Sequence, residues 1–317
     1  MSNILVTGGS GFIGSHIVEA LKKENHNVFN VDKIKINTST NYKNIDINDT
    51  QKLKNYIKEN KINYVFHIAA IANARKSLEN VNETVVTNIG GTTSVLNACA
   101  NSNVKKIILA STVWVYNAVD KNNGKKINNT IYLDESCPIQ PECGGHFYTT
   151  SKLVSEFLCQ DFKKLKGLNF TILRYGIPYG PRMWEGLVLR AFTENALSGN
   201  PLTIIGNGSA KRRFVHINDL AKAHILSLSE KADNQIYNLE GNEDTTIKEL
   251  AEIVSNNINN VKIEYKNDSS RIGELSTDNI IISNSKIKNE LGWEPKVNIK
   301  DGAKDYINWY INNKNNN

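Results

Sequence analysis

The 317-residue chain is 40% hydrophobic and 22% charged, enough apolar surface for one large core or two coupled ones, which excludes a disordered or collagen-like polymer. Its 38 Lys and Arg stand against 32 Asp and Glu, and the resulting +6 is scattered without a block of like charge, so nucleic acid is not a required partner while an anionic small substrate is suited. Cys99, Cys137, Cys143 and Cys159 form no C-x-x-C pair, no apolar run reaches the ~18 residues of a membrane span, and Met1 leads straight to Ile4-Leu5-Val6 without a leader pattern, so reduced thiols and a cytoplasmic location are expected.

Ile4 to Thr7 reads as a buried strand, followed by a glycine cluster and by Ile13, Ile17 and Leu21 at helical spacing. Val28 to Asp32 and Tyr64 to Ala69 are the next strands. After Asn88 a helix is expected from Val95, Ala98 and Cys99, then a strand from Lys106 to Ser111. A helix opening at Tyr148, with Leu153, Phe157 and Asp161 continuing its count, leads to a last strand, Phe170 to Arg174. This alternation predicts an α/β fold with a doubly wound parallel sheet. Gly176-Ile177-Pro178-Tyr179-Gly180-Pro181 then breaks the pattern, and shorter mixed elements follow. The expected division is 1–175 as a dinucleotide-binding Rossmann domain, with segments near 213–240 returning to it, and 176–317 as a smaller, interleaved substrate domain.

Thr7-Gly8-Gly9-Ser10-Gly11-Phe12-Ile13-Gly14 lies between the first strand and first helix and satisfies G-x-G-x-x-G. Such a turn either packs a helix closely on a strand or lets a pyrophosphate approach the free N–H groups of the helix end. Asp32 closes the second strand near the ~20-residue distance of a ribose-binding carboxylate, and the combination points to a dinucleotide. A carboxylate there repels a 2'-phosphate, favouring NAD over NADP, although Lys33 is adjacent.

Tyr148-Thr149-Thr150-Ser151-Lys152 puts a phenol and an ammonium on one helical face. With 12 tyrosines about one such match arises by chance, and Tyr310 with Lys314 is another. Position favours Tyr148, which follows a Pro- and Gly-containing loop and opens a helix. A phenol ionises near ~10, and bringing it to neutrality needs about 4 kcal/mol from nearby cations, which Lys152 and a charged nicotinamide could supply.

These residues resemble the extended short-chain dehydrogenase/reductase superfamily, in its nucleotide-sugar epimerase and dehydratase branch typified by UDP-glucose 4-epimerases, over nearly the whole chain. Further similar motifs are Asp46-Ile47, His67-Ile68-Ala69-Ala70, Asn88-Ile89-Gly90-Gly91-Thr92 and Ser111-Thr112-Val113-Trp114-Val115-Tyr116. Leu173-Arg174-Tyr175, Tyr179-Gly180-Pro181-Arg182, Gly206-Asn207-Gly208-Ser209 before Arg212, Arg271-x-Gly273-Glu274 and Leu291-Gly292-Trp293-x-Pro295 extend the match. The resemblance implies Thr112, Tyr148 and Lys152 as catalytic group. It implies a cofactor site of Gly8, Gly11, Phe12, Ile13, Gly14, Asp32, Asp46, Ile47, Ala69, Ala70, Asn88 and Tyr175, joined by Tyr148 and Lys152. Trp114, Ile177, Arg212 and Arg271, with Thr112, would meet the substrate, the two arginines clamping its diphosphate.

Departures from the family pattern narrow the chemistry. Gly176-Ile177 stands where Phe-Asn is usual, so one polar contact is missing, and Arg212-Arg213-Phe214 replaces Arg-Asp-Phe, adding a cation. Dehydratases of this branch carry Asp-Glu after the catalytic Thr, whereas Val113-Trp114 cannot donate a proton. Trp114 is read either as a wall of the sugar pocket or as a core residue beside the sheet end. His67 reads as a hydrogen-bonding core or loop residue and Cys143 as non-catalytic, with no metal site expected; Arg182, Arg190 and Arg213 are alternative phosphate ligands or surface charges. The expectation is an NAD-dependent nucleotide-sugar epimerase, a cytoplasmic homodimer inverting C4 of a UDP-hexose through a transient 4-keto sugar. A 4-reductase, dehydrogenase or 4,6-dehydratase, and a non-catalytic NAD-sensing scaffold, are the alternatives.

Overall fold

A computed structural model describes residues 1–34, 41–140, 145–267 and 279–313. Apolar runs bounded by turn residues form strands covered on both faces, and the amphipathic segments between them form the covering helices. In chain order these are β1 (Asn3–Thr7), α1 (Phe12–Lys23), β2 (Asn27–Asp32), β3 (Asn41–Asn44), α2 (Thr50–Glu59) and β4 (Tyr64–His67). Next come α3 (Ala74–Glu79), α4 (Val81–Thr84), a π-helical turn (Val85–Gly90), α5 (Gly91–Ala100) and β5 (Lys106–Thr112). A 3₁₀ turn (Val113–Ala118) leads to β6 (Lys125–Ile127), β7 (Thr130–Leu133), α6 (Phe147–Lys166) and β8 (Asn169–Tyr175). Then follow β9 (Ile177–Tyr179), α7 (Val188–Leu197), β10 (Leu202–Ile205), β11 (Lys211–Arg212), β12 (Phe214–His216) and α8 (Ile217–Leu226). The chain ends with β13 (Gln235–Leu239), β14 (Thr245–Thr246), α9 (Ile247–Asn257), β15 (Ile263–Lys266), β16 (Ile280–Ile282), α10 (Ser285–Leu291) and α11 (Ile299–Asn313).

Seven parallel strands in the order β13-β8-β5-β4-β1-β2-β3 make the central sheet, a Rossmann-like, doubly wound α/β architecture. The winding reverses between β1 and β4, and at such a switch point the strand C-termini leave a crevice for ligands. Alternating side chains feed two cores. Val6, Ile108 and Tyr237 meet Ile17, Leu21 and Leu220 of α1 and α8 on one face, while Leu5, Val65, Ile107 and Ile172 meet Leu53, Ile57, Val95 and Cys159 of α2, α5 and α6 on the other. A further apolar cluster joins Phe12 to Tyr179, Met183, Leu250 and Tyr306. The chain's late segment is pinned to α8, because the Asp219 carboxylate accepts from Lys296 N and Val297 N at 2.9 Å and Trp293 Nε1 donates to the Asp219 carbonyl at 2.8 Å.

β4 stops at His67, two residues short of the expected strand. Ile68 N and Ala69 N both turn back onto the Thr7 carbonyl, at 3.2 and 3.0 Å, so the ladder is broken at the sheet's C-terminal edge. No described helix is long and apolar enough to cross a membrane.

Candidate active site

The glycine turn has the geometry a dinucleotide needs. Gly8 has φ +71, and a Cβ there would run into the Ala69 backbone; a Cβ on Gly14 would overlap the Gly8 carbonyl. No side chain caps the first turn of α1, and that turn carries no acidic residue, so its N–H groups and dipole face the turn uncompensated. Asp32 sits beside it, accepting from Ser10 N and Ile34 N at 3.1 Å each and retaining lone pairs for hydroxyl donors. Asp46 accepts from Asn48 N and holds Lys33 Nζ at 3.0 Å, while Ile47 is buried against Gly91. These residues fit an adenine dinucleotide.

Across the switch point, β5 delivers Thr112 and α6 delivers Tyr148 and Lys152 to one place. The Thr112 hydroxyl lies close enough to the Tyr148 phenol to favour its ionised form. Lys152 Nζ lies 5.9 Å from the Tyr148 ring centroid and donates to the Ala110 carbonyl at 2.7 Å. Burial pushes the phenol up to about 12, a shift the nearby Thr112 hydroxyl only partly offsets. Thus, in the chain alone, desolvation outweighs the lowering anticipated from Lys152. Burial also brings the Lys152 ammonium down to about 8, opposed by the Glu156 carboxylate. Tyr310, the other Tyr-x-x-x-Lys match, lies in α11, donating to Glu194 of α7 at 2.9 Å, and Lys314 is outside the described residues.

A buried polar network that the sequence did not announce supports this group from below. Ser111 Oγ donates to Glu156, Arg174 grips the Glu156 carboxylate through Nε (3.1 Å) and Nη2 (2.7 Å), and Arg174 Nη1 donates to the Tyr116 hydroxyl, which donates to Asn238. It ties β5, α6, β8 and β13 together beneath the site. The Tyr175 hydroxyl donates to His224 Nε2 at 2.6 Å, because His224 Nδ1 is committed to the Leu220 carbonyl. Its ring is therefore buried in the core rather than standing free in the crevice. Asn88, on the π-helical turn, accepts from Ile71 N and donates to the Ile71 carbonyl and Ser151 Oγ, holding the loop of Ala69 and Ala70 to α6. His67 receives Thr7 Oγ1–H on Nδ1 and donates from Nε2 to Thr92, as a core hydrogen-bonder.

Trp114 is 40% exposed, which removes the core alternative; its ring meets the edges of His146 at 4.8 Å and Tyr148 at 6.2 Å. His146 was missed in the sequence because a histidine N-cap gives no signal resembling Ser, Thr, Asp or Asn. Ile177 pairs with Phe214 of β12, and Arg212 pairs with Thr245 of β14, in two short sheets separate from the central one. Arg213 is paired with Asp244 at 2.7 Å, Arg182 with Glu19 and Arg190 with Glu194, which engages the three alternative cations. Arg271 and Cys143 lie outside the described residues.

Comparison with known proteins bears on this geometry. The family model described as NAD dependent epimerase/dehydratase family matches residues 4–239. A putative UDP-glucose 4-epimerase of Methanocaldococcus jannaschii is 33% identical over 98% of this chain and 99% of its own. The crystal structure of Thermotoga maritima UDP-glucose 4-epimerase with UDP-glucose superimposes with a TM-score of 0.85 at 30% identity, covering 98% of this chain and 99% of that one. A Thermus thermophilus UDP-glucose 4-epimerase complex with NAD gives 0.82 at 28% identity, with 98% and 99% covered.

Proposed function

Since the chain belongs to the NAD dependent epimerase/dehydratase family, we propose that it is an NAD-dependent nucleotide-sugar epimerase inverting C4 of a UDP-hexose through a transient 4-keto sugar. The observation that carries this reading is the meeting of Thr112, Tyr148 and Lys152 at the C-terminal edge of the sheet, with Val113 and Trp114 beside them in place of proton donors. Without such donors the expulsion of water that a dehydratase performs has no acid at that position.

The glycine turn, Asp32, Asp46, Ile47 and the loop of Ala69 and Ala70 would hold NAD, in a domain of residues 1–175 with returning segments near 213–240. Lys33 is neutralised by Asp46, so it does not counter the Asp32 preference for an unphosphorylated ribose. When bound, NAD supplies a hydride acceptor and a positively charged ring. Tyr148 takes the proton of the 4-hydroxyl and returns one to the 4-keto oxygen, Thr112 hydrogen-bonds the same sugar oxygen, and the Lys152 charge favours the phenolate. Arg212 and Arg271, with Trp114 and Ile177, belong to the substrate side within 176–317.

A panel of sugar nucleotides without added cofactor, followed by NMR, tests the assignment. The expected product is inverted at C4, free of solvent deuterium there, without net NADH, and Tyr148→Phe should slow turnover by about 10²- to 10⁴-fold. Steady NADH release would instead indicate a reductase or dehydrogenase, loss of water a dehydratase, and a blank panel a scaffold.

A further inference from the structure

We propose that His146 is a positioning residue for Tyr148, its ring lying against both Trp114 and the phenol so that the phenol ring is held in one orientation; this rests on Tyr148 being the acid/base. Four contacts link Thr112, Trp114, His146 and Tyr148. Trp114 N donates to Thr112 Oγ1 at 3.2 Å, the Trp114 indole meets the His146 ring at 4.8 Å, the His146 ring lies 23° from parallel with Tyr148 at 6.1 Å, and the Tyr148 ring meets Trp114 in edge contact at 6.2 Å. Removing the imidazole leaves the Tyr148 ring with Trp114, in edge contact, as its aromatic neighbour among the described residues.

Capping alone does not require a histidine. His146 has extended backbone, φ −162 and ψ 162, and its Nδ1 accepts from Thr149 N at 3.2 Å, satisfying one free donor of the first turn of α6. A Ser, Thr, Asp or Asn would do this at least as well, with a smaller side chain. What the imidazole adds is a flat surface that also meets Trp114. Burial holds the imidazole below its usual pKa, consistent with a neutral ring whose Nδ1 stays an acceptor. Aromatic contacts of this kind restrict a neighbouring ring, and a displaced acid/base is costly even when its chemistry is intact.

His146→Ser keeps a good N-cap and removes the ring, while His146→Phe keeps a ring and removes the cap. If His146 positions the phenol, His146→Ser should keep the wild-type Tm, NAD affinity and KM but lose roughly ten- to a hundred-fold in kcat. His146→Phe should lower Tm and retain most of kcat. Ring-flip exchange of Tyr148, followed by NMR on ¹³C-tyrosine-labelled protein and assigned with Tyr148→Phe, gives an arm independent of turnover: flipping should be faster in His146→Ser than in wild type and in His146→Phe. An unchanged flip rate in His146→Ser, or unchanged kcat in an active enzyme, overturns the proposal. A wild type inactive across the sugar panel but with the expected flip rates would overturn the epimerase assignment and leave the positioning role supported.

Discussion

A Cβ at Gly176 would overlap Oε1 of Glu240, so the carboxyl following β13 fills the space that a side chain following β8 would take. In the sequence Gly176 reads only as the loss of the Phe usual in the family. Its complement, sixty-four positions on, becomes visible once Tyr175 and Leu239 pair across β8 and β13. Glu240 is 6% exposed, and the donor to its carboxyl among the described residues is Gly241 N at 3.2 Å. Burial pushes the carboxyl up to about 8, against the weaker pull of Arg213, which is itself paired with Asp244. The native state therefore holds a proton that the unfolded chain releases near pH 4.5. The stabilisation is complete below that pH, declines as pH rises and is gone once the folded group ionises above about 8. Glu240→Gln should remove this slope, leaving the variant more stable than wild type at pH 9 by on the order of a few kcal/mol and close to it at pH 5. Urea titrations at both values check it; parallel pH profiles would mean that the carboxyl is solvated.

At the scale of elements, legibility followed the source of each element's stability. β1, β5 and β8 are runs of buried β-branched and apolar residues, and their sequence pattern carries them. β3, Asn-Tyr-Lys-Asn, has no such pattern and exists because β2 offers it an edge. β16, three isoleucines, carries the pattern but is short, and it pairs with β7. The π-helical turn at Val85–Gly90 is as silent in sequence as β3, although a π-bulge commonly marks a functional position. Here it carries Asn88, whose amide satisfies both main-chain groups of Ile71 and reaches Ser151 of α6, which in turn donates to the Tyr148 carbonyl. The sequence motif singles out Asn88 as a candidate for the cofactor site, but its work as a brace between loop and helix needed the fold. Asn88→Ala leaves Ile71 N and O unpaired, and each buried orphan costs about 1–3 kcal/mol. Denaturant midpoints should fall accordingly, and calorimetry should find weaker NAD binding as the Ala69–Ala70 loop loosens. A variant equal to wild type in both would show that water replaces the amide.

For the molecule as a whole, both faces of the central sheet are covered by helices, yet one flank still offers apolar side chains to solvent. Leu78 of α3 is 56% exposed, Val85 and Val86 of the π-helical turn 43% and 56%, and Phe157 of α6 50%. α6 packs directly on α3 and on that turn, so these side chains belong to adjoining elements. Grouped exposed apolar residues of this size are more costly than single ones and mark contact surfaces. A second copy of the chain is the proposed occupant, since a two-fold axis can lay the same patch against itself with no other partner. The elements that would touch are also those that carry Asn88, Tyr148 and Lys152, so association would stiffen the helix bearing the acid/base. Sedimentation velocity should find a dimer, and Phe157→Asp or Val86→Asp, each placing a charge in the contact, should give a monomer with unchanged circular dichroism. Turnover of that monomer should be reduced while Trp114→Ala, distant from the patch in sequence and proposed for the sugar side, leaves the dimer intact. A wild-type monomer at micromolar concentration would end the homodimer proposal, and an Asp variant that stayed dimeric would move the interface to another face.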